Sequence, residues 1–155
     1  MSTHYQGTAR EKLILDTWIK MSRAKVTLDR VMRLNIEKQG ITMSQFAVLE
    51  TLLHLGPLSV KDISQKILLT TSNLVTVIDN LVKRNLVKRV PCSHDRRSVI
   101  IHLTQTGEDK VAPIFQNHLT ELIDRFAVLS ETQLDQLGSL SKDLGLYQTK
   151  KEYIL

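Results

Sequence analysis

ILLTTSNLVTVIDNLVKRNLVKRVPCSHDRRSVIIHLTQTG, residues 67–107, is the stretch whose reading decides the fold. Thr70 or Thr71 opens a helix that runs to about Arg84, with Leu74, Ile78, Leu81 and Val82 as its apolar stripe. The opposite face carries Asn73, Thr76, Asn80 and Arg84. Asn85 follows the last turn, and Asn tolerates the left-handed conformation that ends helices. Leu86 to Val90 reads as a strand and 91–98 as a loop. Val99, Ile101 and Leu103 alternate with Ile100 and His102 in a returning strand. Six Lys and Arg residues fall between positions 83 and 97.

Working outward, residues 8–39 contain neither Gly nor Pro, and Ile14, Trp18, Met21, Leu28 and Met32 recur at helical spacing. This predicts a long first helix ending near Gly40. Thr42 and Gln45 form a capping box for a second helix, whose apolar face is Phe46, Leu49, Leu52 and Leu53. It stops at Gly56-Pro57. Ser59 and Asp62 cap a short third helix carrying Val60, Ile63 and Ile67. Two short helices joined by a tight turn, the second with a small polar face, make a helix-turn-helix. After the hairpin, Thr106 is read as the cap of a fifth helix, with Glu108 and Asp109 in its first turn. Pro113 sits early in that helix, to be tolerated or to bend it. Ser130 and Gln133 box the start of a sixth helix striped by Leu134, Leu137, Leu140 and Leu144.

The fold class is therefore mainly α with a small β-hairpin wing: a winged helix-turn-helix, residues 42–107, plus a helical dimerisation region, residues 8–39 and 108–155. The whole chain, 1–155, is read as a single domain. The outer helices carry more apolar surface than one small module needs. Packing against a twin would use it, and so would an ordinary internal core.

At 155 residues and 42% hydrophobic content the chain has enough material for a real core. Net charge is +5, which favours an anionic partner, and its clustering says more than its total. No apolar run approaches the roughly 18 residues of a membrane span, and the N-terminus lacks a signal-peptide core. A cytoplasmic protein without a membrane partner is expected. One cysteine, Cys92, excludes an internal disulfide framework. Without Cys-x-x-Cys or His-x-x-x-His spacing, no metal and no cofactor are expected. An enzyme with Cys92 as nucleophile finds no base beyond His94, and the six glycines form no phosphate-cradling loop, so no catalytic residue is assigned.

A face of Thr71, Ser72, Asn73, Thr76 and Asn80 is small and uncharged and suits the edges of bases in a major groove. Asn bonds adenine through two hydrogen bonds and Thr meets a thymine methyl. Taken singly, each of these residues also suits a plain solvated helix. Lys83, Arg84, Lys88 and Arg89 are placed for phosphates, which add affinity without sequence information. Arg96 and Arg97 at a hairpin tip suit a narrow minor groove, with Asp95 to fix a guanidinium. The other reading of that trio is a solvated loop with a surface ion pair. Double-stranded DNA is the partner expected from these residues together.

The segments GITMSQFAVLETL, GPLSVKDISQKI, TTSNLVTVIDNLVKRNLVKR and DRRSVIIHLTQTG resemble the MarR family of bacterial transcriptional regulators. The resemblance covers nearly the whole chain. It implies a homodimer built from the N- and C-terminal helices and a pseudo-palindromic operator, with Arg97 as the wing arginine and Asp95 as its holder. It also implies release of DNA when a small, often aromatic, effector binds or a cysteine is modified. Asn85 stands where the family usually has Gly, and Val77 where an Arg is common. The expected function is a sequence-specific transcriptional regulator, a repressor released by a phenolic ligand or by thiol modification. The alternative is an architectural DNA-binding protein without an effector. Cys92, flanked by Lys88, Arg89, Arg96 and Arg97, is either the redox switch or a small loop residue. Trp18, Met21, Phe46 and His54 are read as the wall of an effector pocket, or as plain core and interface.

Overall fold

The computed structural model describes residues 4–67, 70–91 and 99–147. Cys92, Asp95, Arg96 and Arg97 lie outside the described residues, as does the side chain of Thr71. The chain divides into two units, Met1–His118 and Leu119–Leu155. The elements are α1 (Ala9–Glu37), α2 (Met43–Leu55), β1 (Leu58–Ser59), α3 (Val60–Ile67), α4 (Thr71–Lys83), β2 (Val87–Pro91), β3 (Val99–Leu103), α5 (Gln105–Phe126) and α6 (Glu131–Leu146). The architecture is mainly helical with a small antiparallel sheet in the order β1-β3-β2.

The helix starts follow their capping chemistry. The Thr8 hydroxyl accepts from the Glu11 amide at 3.2 Å, and the Thr8 amide donates back to Glu11 Oε2 at 2.8 Å. That amide holds the Glu11 carboxyl below its ordinary range. The same reciprocal pair forms at Thr42 and Gln45 and at Ser130 and Gln133. Gly56 ends α2 at φ 74°, a left-handed conformation that costs Gly little.

One core organises the first unit. Phe46, Val48, Leu49 and Leu52 of α2, Ile63 of α3 and Leu74, Ile78 and Leu81 of α4 are buried in it. Val87 and Ile101 close it from the sheet, Ile36 from α1, and Val111 and Ile114 from α5. Each such burial contributes about 1.5–3 kcal/mol relative to exposure. The first half of α1 is different, for Leu13, Ile14, Trp18 and Met21 are exposed. In the second unit α6 buries none of its residues.

The structure departs from the sequence reading in three places. The hairpin has a third strand: β1 pairs with β3, Leu58 opposite Ile101. The second strand begins at Val87, because Leu86 belongs to the end of α4. The cap of α5 is Thr104 and not Thr106. Thr104 Oγ1 accepts from the Gly107 amide at 3.0 Å, while Thr106 lies inside the helix. Pro113 is accommodated within α5, which runs on to Phe126.

The close of α4 explains the spacing of Leu103, Thr104 and Gly107. Arg84 is the last capping residue and Asn85 adopts φ 55°. The Asn85 amide donates to Val82 O and the Leu86 amide to Leu81 O, both at 2.9 Å, which is the Schellman pattern. The Leu86 carbonyl then accepts the Thr104 amide at 3.1 Å, and the Thr104 hydroxyl is shared between Asn85 O at 2.7 Å and Leu86 O at 3.1 Å. A Cβ on Gly107 would sit 2.0 Å from that carbonyl. Gly107→Ala is therefore expected to destabilise the fold by about 2–3 kcal/mol, since a backbone atom has to move. Thr104→Val costs about 1–2 kcal/mol by removing the hydroxyl that donates to Asn85 O and accepts from the Gly107 amide. Denaturant unfolding of both variants measures the two losses.

Candidate nucleic-acid interface

Leu74, Ile78 and Leu81 are fully buried and fix the roll of α4 about its axis. With one side of the helix committed to the core, Ser72, Asn73, Thr76 and Asn80 are turned out and exposed. The expected reading face is thus displayed as one surface, apart from Thr71, whose side chain is outside the described residues. Val77 is partly buried against the core, so it does not belong to that surface. Thr70 occupies the cap position of α4 without a side-chain cap, and its hydroxyl lies 3.4 Å from that of Ser72. The first-turn amides of α4 therefore have no side-chain acceptor from their own cap.

Basic side chains flank this face. Lys83 and Arg84 close α4, and Lys88 lies exposed on β2 opposite His102. Arg84 Nη1 reaches Gln45 Oε1 at 3.4 Å, which ties the end of α4 to the start of α2. Arg89 is arranged differently from the expectation that it is simply a phosphate ligand. Its Nη1 lies 2.7 Å from Asp79 Oδ1, joining α4 to the wing strand β2. Asp79 was missed by sequence reasoning. The signal was present, because Asp79 is the single carboxylate between Asp62 and Asp95. Its partner is ten positions on and reached only through the fold.

The residues expected to line an effector pocket differ in exposure. Phe46 is core, 2% exposed, with its ring edge-on to His118 at 5.0 Å. His54 meets the ring of Phe115 at 4.5 Å. Trp18 and Met21 are exposed on α1, at 63% and 42%. A cleft of about 590 Å³ has other walls: Lys25, Val26, Asp29, Arg30 and Arg33 of α1, and Met43 of α2. The Nδ1 of His118 is buried without a hydrogen-bond partner among the described residues.

Comparison with known proteins places this geometry. The family model described as "MarR family" matches residues 41–99. The HTH-type transcriptional regulator MhqR of Bacillus subtilis (strain 168) is 33% identical over 132 residues, 85% of this chain and 91% of MhqR. Among solved structures, NadR in complex with 4-hydroxyphenylacetate superposes with a TM-score of 0.73 at 22% identity, covering 96% of this chain and all of NadR. A mutant MarR from E. coli, complexed with operator DNA, gives 0.69 at 23% identity over 90% of this chain and 99% of that one.

The Asp79–Arg89 pair is half exposed, so its contribution to folding is small. Solvent screening and side-chain entropy hold such pairs to about 0–1 kcal/mol. Asp79→Asn is accordingly expected to shift the unfolding free energy by less than about 1 kcal/mol, read from its denaturation midpoint.

Proposed function

The chain belongs to the MarR family of DNA-binding transcriptional regulators, which are not enzymes, and from that premise we propose that it is a homodimeric, effector-released repressor. The observation that carries the reading is the face of α4. Three fully buried side chains hold Ser72, Asn73, Thr76 and Asn80 outward, with Lys83, Arg84 and Lys88 beside them. Thr71 and those four make the contacts to base edges in the major groove. Arg84 and Lys88 take phosphates. Asp95, Arg96 and Arg97 serve the adjacent minor groove, Arg97 inserted and Asp95 holding it.

Residues 42–107 form the DNA-binding lobe of the single domain, and 8–39 with 108–155 the dimerisation region. Support for the dimer comes from apolar side chains left exposed on one chain: Leu13, Ile14 and Trp18 of α1, and Leu137, Leu140 and Leu144 of α6. A two-fold dimer sets two α4 helices about 34 Å apart, one turn of duplex, and so selects a pseudo-palindrome. The effector is a small aromatic or phenolic molecule with Trp18, Met21, Phe46 and His54 in its surroundings, or an oxidant acting on Cys92. The protein works in the cytoplasm.

Gel shifts on the DNA upstream of its own gene, with phenolic ligands and oxidants titrated in, test the proposal. Arg97→Ala and Asn73→Ala are expected to weaken that binding by about 5- to 150-fold, about 1–3 kcal/mol each. Lys88→Ala should act alike on all duplexes and lower the salt slope by about 0.9. Equal affinity for random duplex, unaltered by Arg97→Ala and Asn73→Ala, would leave an architectural protein instead.

A further inference from the structure

We propose that Asp79 is a specificity-determining residue of the DNA-binding surface, acting as a positioning residue that keeps Arg89 off the phosphate backbone. The inference rests on the reading of α4 as the groove helix. From Ile63 to His94 the chain carries Lys66, Lys83, Arg84, Lys88 and Arg89, and against these five cations a single carboxylate, Asp79. It sits one turn beyond Thr76, on the flank of the reading face that turns toward β2. A carboxylate on a surface that meets phosphates is repelled by them, and that cost falls on every duplex alike. Its 2.7 Å contact with Arg89 makes the two side chains a neutral unit.

The consequence lies in what Arg89 no longer does. An arginine free at a groove edge adds most to loosely docked, non-specific complexes, which can shift along the backbone to seat it on a phosphate, whereas a complex whose register is fixed by base contacts cannot. An arginine clamped to Asp79 does not swing to the nearest phosphate. Discrimination is a difference between two affinities, so lowering the generic one raises it without any new base contact. The pair's exposure of 38% and 44% keeps this function separate from core stability.

The test uses the full chain and two duplexes of one length, one selected by the wild-type protein from a randomised pool and one unselected. Affinities are measured across a salt series for wild type, Asp79→Asn, Asp79→Glu and the double variant Asp79→Asn with Arg89→Gln. Asp79→Asn is expected to raise affinity for the unselected duplex roughly tenfold and steepen its salt slope by about one. The ratio of selected to unselected affinity falls correspondingly. Asp79→Glu restores the wild-type ratio, and the double variant returns the slope to the wild-type value. An Asp79→Asn ratio within twofold of wild type overturns the proposal while leaving the groove reading intact. So does an equal loss on both duplexes with no change of slope, the sign of a merely structural role. A wild type that fails to enrich any duplex from the pool overturns the groove reading and this proposal together.

Discussion

One carbonyl group, that of Leu86, is the point on which three elements depend. It stands just past the left-handed residue that ends α4. It accepts from the amide and the hydroxyl of Thr104, and the start of α5 passes so close that position 107 has room for no side chain. Buried main-chain acceptors have to be paired, and a three-way junction of helix end, strand end and helix start concentrates that demand. Thr104 meets it with one side chain by donating backward to the α4 terminus and accepting forward from α5. Asn85 at the left-handed position performs the turn that a glycine would perform, at modest steric cost.

Given that junction, the orientation of α4 follows from burial. A helix with Leu74, Ile78 and Leu81 sunk in the core has no rotational freedom left, because a turn of one residue's angle would expose one of them. Hydrophobic packing on one side thus determines which polar residues appear on the other. The surface so displayed is small-chained and uncharged in its middle and basic at its edges. Its acid, Asp79, is matched to a cation from the neighbouring strand. On the proposed reading, affinity and discrimination are drawn from different residues, and unpaired charge at the rim serves only the former.

How far the residues alone disclose this depends on the range of the interaction. Caps formed between positions three apart, as at Thr42 and Gln45 or Ser130 and Gln133, are visible because both partners lie in one turn. So are the apolar stripes of α2 and α4. The strand β1 was hidden, since two residues after Gly56-Pro57 carry no alternation and become a strand only by pairing with β3. Thr104 and Thr106 were indistinguishable as caps by local rules. The choice between them is made by Gly107 packing on Leu86, a contact across the junction. Of the candidate DNA-contacting surface, Ser72, Asn73, Thr76 and Asn80 were legible from the period of the helix. Asp79 was passed over because its partner is on another element. For the proposed effector residues, aromatic and sulfur side chains at helical spacing serve core and pocket alike, and of the four Phe46 is buried in the core.

Under the proposed function, the arrangement also constrains how DNA release can be achieved. An effector shifts an equilibrium only by the difference in its affinity for two arrangements. In the first unit, α4 is held by its buried stripe, by the Leu86 junction and by the Arg84–Gln45 contact, so it moves as part of a body rather than alone. Two classes of perturbation therefore have different reach. A change at Cys92, which follows β2 in the chain, acts first on the wing, and β2 is coupled to α4 through buried Val87 as well as through the half-exposed Asp79–Arg89 pair. A change that displaces the start of α5 acts through Thr104 and Gly107 on the end of α4 itself, across contacts with no slack. Modification of the wing should then cost mainly the minor-groove contribution proposed for it. Displacement at α5 should tilt the reading face and remove discrimination along with affinity.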